Sequence, residues 1–164
     1  MTDYLVTTYA GDLIGDLPAD AWFGLYLARS VKHPHLCRVG AAGFCNGITA
    51  RLRTHRGSAP VERKNPPNWA ELHRPFRPFW VAHLQKANAV ATRCCERELQ
   101  VQLAKIVRYV DESGFHAGEC TDDVLIDVAE RCTPAFRDLL AFQTGPFFEK
   151  PRRSGDRWYA SSPS

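Results

Sequence analysis

Short apolar runs broken by glycine and proline divide the chain into segments of two kinds. Trp22-Phe-Gly-Leu-Tyr-Leu-Ala28 is apolar, bounded by breakers and too short for a stable helix, so it reads as a buried strand. Leu36-Cys-Arg-Val-Gly40 reads as a second strand, and the polar connection Ser30 to His35 between them predicts a hairpin. A Gly-rich turn, Ala41 to Gly47, precedes Ile48-Thr-Ala-Arg-Leu-Arg-Thr-His55, where Ile48, Leu52 and His55 fall on one helical face with Arg51 beside them. The stretch from Gly57 to Pro78 holds five prolines and predicts a surface loop, after which Phe79 to Leu84 predicts a third strand.

Residues 90–111 carry the strongest helical pattern. Cys95, Leu99, Leu103, Ile106, Val107 and Val110 form one stripe, with Glu96, Arg97, Glu98, Lys105 and Arg108 mostly off it. Thr121 or Asp122 would cap a short helix reaching Cys132, and Thr133-Pro134 opens another reaching Phe142, with proline at the first helical position. The order β-β-α-β-α-α-α predicts an α+β protein with a small three-stranded sheet flanked by helices and extra C-terminal helices. Residues 1–21 read as an extended lead-in, 22–150 as a single domain, and 151–164 as a flexible tail rich in Ser, Gly and Arg.

Composition narrows the class. With 164 residues, 45% apolar and 24% charged, the chain has the make-up of one globular domain. The first twenty residues hold four acids and no Lys or Arg, unlike a secretory leader, and no apolar run approaches the ~20 residues needed to span a bilayer. The expectation is a cytoplasmic protein with no membrane partner. The six cysteines include no C-x-x-C pair, and His33 and His35 near Cys37 have no matching second half, so reduced thiols acting as small apolar side chains are expected.

Charge changes the picture most. Residues 1–50 carry a net −1, residues 51–108 a net +8 and residues 109–164 a net −4. A basic middle that also holds Trp69, Phe76, Phe79 and Trp80 suits a phosphate backbone. A merely soluble basic face is the alternative.

In that frame, Gly24-Leu25-Tyr26 and Arg38-Val39-Gly40 on consecutive strands resemble the paired tripeptides of the GIY-YIG nuclease superfamily, in its phage-type branch. Arg51-Leu52-Arg53-Thr54-His55 resembles the R-x-x-x-H helix start of that family, and Glu96-Arg97-Glu98-Leu99 its acidic position on the long helix. Gly118-Glu119 resembles a further glutamate of the branch, and the whole resemblance covers roughly residues 22–132. It implies an endonuclease that hydrolyses DNA phosphodiester bonds with Mg²⁺ or Mn²⁺. Tyr26 would be general base, Arg38 its cationic partner, Arg51 and His55 the contacts to the scissile phosphate, and Glu96 the metal ligand. Arg53, Arg56, Arg63 and Lys64 would track the DNA backbone.

Elementary chemistry agrees with those roles. Phosphodiester hydrolysis needs a water, a group to take its proton, positive charge on the developing oxyanion and a cation at the leaving oxygen. A phenol is a poor base in water unless nearby cations favour its phenolate. Arg51 and His55 lie four apart and share a helix face, and a hard cation takes only one or two protein carboxylates. The plain alternatives are a core tyrosine, a solvated basic helix, and a Glu96 paired with Arg93 or Arg97 on its own helix. Two departures motivate a second function. Arg38 stands where the family has tyrosine or lysine, and arginine does not shuttle protons; Ala41 and Ala42 stand where a Thr or Ser is usual. A catalytically degenerate nucleic-acid-binding or regulatory module is therefore the alternative. A lone domain has one active site, so double-strand cleavage calls for a homodimer or two successive nicks.

Overall fold

The computed structural model describes residues 4–10, 14–57, 74–109, 115–117 and 120–142. Among them run strands β1 (Val6–Ala10), β2 (Gly24–Ser30), β3 (Leu36–Ala42), β4 (Phe76–Leu84), β5 (Arg108–Tyr109) and β6 (Phe115–Ala117), and helices α1 (Ile48–Arg56), α2 (Ala89–Leu103), α3 (Asp122–Arg131) and α4 (Thr133–Phe142). No helix of the described residues is long and apolar enough to cross a membrane.

The α+β class stands, but the sheet is larger than the three strands expected. It has six strands in the order β1-β4-β2-β3-β6-β5, every neighbouring pair antiparallel. The three expected strands are its contiguous middle. The added ones escaped for physical reasons. β1 lies inside the expected lead-in and shows a single buried residue, Val6, so its backbone pairing with β4 leaves little trace in its side chains. β5 and β6 are two and three residues long, too short for any periodicity. Their presence also corrects the long helix: α2 ends at Leu103 instead of running to residue 111. The Ile106–Val107 pair that extended the stripe leads into β5; Val107 is buried, while Ile106 is 44% exposed. The expected loop ends earlier too, because β4 begins at Phe76 and takes in Pro78 where the register against β2 shifts between Leu27 and Ala28. A proline has no N–H to give a ladder, and a register shift is where a strand tolerates it.

Alternation along β2 sorts its side chains between two cores. Leu25 and Leu27 join α2, α3 and α4 in a large cluster centred on Trp80, Phe79, Leu99 and Phe136, while Tyr26 and Ala28 join Ile48 and Leu52 of α1 on the other side. Gly24 stays side-chain-free because a Cβ there would lie 2.9 Å from Ile48 Cγ1 and 3.0 Å from the Ala82 carbonyl. Asn88 caps α2 by accepting from the Ala91 N–H at 2.8 Å, and Thr121 caps α3 by accepting from Val124.

The helical side is tied to the sheet by one carboxylate. Asp122 accepts from Arg29 Nε at 2.7 Å and from Arg77 Nη2 at 2.6 Å, and Arg29 also donates to the carbonyls of Cys120 and Pro34. Burial alone would raise the Asp122 pKa, but the hydrogen bonds and charges of Arg77 and Arg29 outweigh it and hold the carboxyl below its ordinary range. The sign follows: the stabilisation is present above the ordinary carboxylate pKa and is lost as pH falls through the lowered one. Asp122→Asn is expected to cost about 1–2 kcal/mol at pH 7, since the partners are partly solvated, with the gap to wild type closing in strong acid. Thermal melts from pH 7 downward measure it; a constant gap at all pH values would deny the ion pair its part.

Candidate active site

The β2–β3 register sets the centre of the site. Tyr26 pairs with Gly40 and Ala28 with Arg38, so Tyr26 and Arg38 are diagonal neighbours on one face. The phenol lies flat across Gly40, where a Cβ would sit 2.3 Å from its hydroxyl oxygen. Gly40 is therefore required by Tyr26. Arg38 Nε donates to the Tyr26 oxygen at 3.2 Å, and His55 Nε2 of α1 lies 2.7 Å from the same oxygen. His55 also meets the edge of Phe76, at 5.7 Å between centroids.

Tyr26 and His55 are both 0% exposed. Burial first, then the charges of Arg51, Arg38 and Arg74, lower the His55 pKa to about 2, so this imidazole is neutral at any working pH. That differs from the expected phosphate contact. His55 and Arg51 share a helix, but His55 points inward beneath the phenol while Arg51 lines a surface pocket. The turn of helix that makes Ile48 and Leu52 core residues carries His55 inward with them.

That pocket, about 240 Å³, lies where the end of β3, the loop after it, α1 and α2 converge. Arg38, Arg51, Arg93 and Glu96 supply its charge, and Phe44 part of its wall. Three guanidiniums face one carboxylate. Glu96 is 9% exposed and its Oε2 accepts from Arg93 Nη1 at 2.7 Å, while the Arg93 guanidinium stacks over Phe44 with 3.8 Å from Cζ to the ring centroid. Glu98 sits apart from them, accepting from Gln102 at 2.9 Å and lining a separate pocket between α2 and the C-terminal helices. Arg53 and Arg56 are exposed on α1, whereas Arg63, Lys64 and Glu119 lie outside the described residues.

The structure thus brings Arg38, Arg51 and Glu96 to one pocket and sets Tyr26 directly behind Arg38. Arg93 and Phe44 were not singled out as site residues from the sequence. Arg93 had a local signal, lying three residues before Glu96 on the same helix; Phe44 had none, since only the fold of the loop brings it over α2.

A divalent cation fits this donor set in kind. One carboxylate in an anion-attracting pocket leaves the remaining coordination to water and phosphate oxygens, the manner in which Mg²⁺ is usually held. No group of three or more His, Cys, Asp or Glu side chains among the described residues could hold a metal by itself. All six cysteines are free thiols, with Cys37, Cys95 and Cys132 buried and their pKa values raised mainly by that burial. The chain matches no known family model, no curated protein and no solved structure.

Proposed function

We propose that the chain is a metal-dependent endonuclease that hydrolyses DNA phosphodiester bonds, arranged on the plan of the GIY-YIG nucleases and acting in the cytoplasm. The observation that carries this reading is the convergence of Arg38, Arg51 and Glu96 on one pocket with the Tyr26 oxygen hydrogen-bonded to Arg38 behind it. The guanidiniums of Arg38 and Arg51 bind the scissile phosphate and offset charge on its oxygens as it becomes pentacoordinate. Glu96 would hold Mg²⁺ or Mn²⁺, which when bound supplies Lewis-acid charge at the leaving oxygen. With its own proton first released to solvent, Tyr26 as the phenolate takes the proton of the attacking water at its phenolic oxygen. Arg38 Nε and the neutral imidazole, as its Nε2–H tautomer, both aim a donor at that oxygen and stabilise negative charge there. Since Arg38 covers the buried phenol, its guanidinium must shift toward the phosphate before water reaches Tyr26. The exposed Arg53 and Arg56, with Arg63 and Lys64, track the backbone.

A second reading is favoured by two contacts of the same site: Glu96 is already paired with Arg93, and Tyr26 is already covered. On that reading the chain binds nucleic acid without cutting it. Supercoiled plasmid incubated with Mg²⁺ or Mn²⁺ separates the two. The nuclease gives nicked or linear product that is absent with Glu96→Ala, while the mutant keeps its gel shift. A salt-sensitive gel shift with no product from wild type under either metal would leave the binding module.

A further inference from the structure

The Glu96 carboxylate is not waiting in solvent. Its side chain is 12% exposed, held 2.7 Å from Arg93 Nη1 of the same helix. A carboxylate so far withdrawn from water needs a cation against it, and the pocket offers a choice of two: the guanidinium now present, or a metal ion. Three arginines and one glutamate give the pocket a net charge of +2, so an anion is drawn in and a lone divalent cation is repelled. Arg93 is also placed to change partners. Its guanidinium rests on Phe44, a surface along which a planar cation slides without losing its stacking, and its fork suits two phosphate oxygens better than one carboxylate oxygen.

We propose that Arg93 is a substrate-binding residue that masks Glu96 in the free protein and releases it to the metal only when a phosphodiester takes the guanidinium over. Phosphate and cation then bind cooperatively, phosphate first. This rests on the reading of Glu96 as metal ligand.

The test follows Mn²⁺ binding by paramagnetic broadening of backbone amide signals flanking Glu96, with no turnover needed. Arg93→Met removes the charge while keeping an unbranched stem on Phe44. The expected result is localised broadening at about tenfold lower Mn²⁺ than wild type, abolished by adding Glu96→Gln. In EDTA the same Arg93→Met protein binds a DNA duplex more weakly, with its salt dependence reduced by about one phosphate contact. Wild type provides the arm that needs no variant: a short phosphorothioate duplex lowers its own Mn²⁺ requirement by a similar factor, because coupling is reciprocal. Unchanged broadening in both Arg93→Met and the duplex-bound wild type would overturn the proposal, as would broadening that survives Glu96→Gln. The endonuclease reading fails separately: plasmid nicking with no change in Mn²⁺ response retires only the masking, and the Mn²⁺ shift without nicking retires only the nuclease.

Discussion

Alanine at position 40 is expected to cost the protein about 3 kcal/mol and all of its cleavage activity. A methyl group there would lie 2.3 Å from the Tyr26 hydroxyl oxygen and 2.4 Å from Cζ, well inside van der Waals contact. Neither side can yield cheaply. Gly40 is held in β3 between β2 and its own flanking pairs, and the phenol is enclosed at 0% exposure by α1 and Phe76. Overpacking of a closed core costs about 1–3 kcal/mol, and ejecting the phenol adds the loss of its hydrogen bonds to the buried His55 and the partly buried Arg38. Urea unfolding measures the first effect and plasmid nicking the second. A Gly40→Ala protein of wild-type stability would show that the phenol does not lie across this glycine.

The second large effect is on acid stability. His55 is neutral in the folded chain, its pKa lowered to about 2 by burial and by three neighbouring arginines, while in the unfolded chain it takes a proton near pH 6.5. Between those values the unfolded state binds one more proton than the native state. Stability is therefore full above pH 6.5 and falls on acidification, by about 1.4 kcal/mol per pH unit. From pH 6.5 to 4.5 this one imidazole removes about 2–3 kcal/mol. His83 is lowered too, by burial with Asp20 opposing, and adds to the slope, whereas Asp122 acts only below the carboxylate range. Denaturant titrations across that window are expected to show His55→Gln flattening the slope by about one proton. The glutamine amide keeps a donor for the Tyr26 oxygen. An unchanged slope would mean that the imidazole is charged, or solvated, in the native state.

Much of the frame was legible because it is local. The three central strands, α1 and both C-terminal helices each carry their own period, cap or breaker, and the boundaries of α1 and β3 moved by no more than two residues. Tyr26 and Arg38 could be placed on neighbouring strands because a short hairpin leaves few registers. What was hidden depends on chain segments far apart. Nothing near His55 says that it lies under a phenol from residue 26, because that contact is made by the packing of α1 on the sheet. The Arg93–Glu96 pair was visible as a helical neighbour, but its place in a pocket with Arg38 and Arg51 needed the end of β3 to meet the start of α2. Strand β1 stayed invisible because backbone pairing alone, with mostly exposed side chains, imposes no pattern, and β5 and β6 are too short to carry one.

The interleaving of the sheet has a consequence for how the chain acquires it. β4 lies between β1 and β2, yet β1 ends at Ala10 and β4 begins only at Phe76. At a synthesis rate of about 5–20 residues per second, β1 waits roughly 3–13 s for the strand it pairs with. Until then both edges of the β2–β3 hairpin are open, since β6, the other neighbour of β3, comes later still, and Tyr26 has no Phe76 beside His55. Assembly of the site is thus a late event, needing first one central strand and then α2 with Arg93 and Glu96, and a chain stopped before residue 76 would hold Tyr26, Arg38 and His55 without the sheet that fixes them.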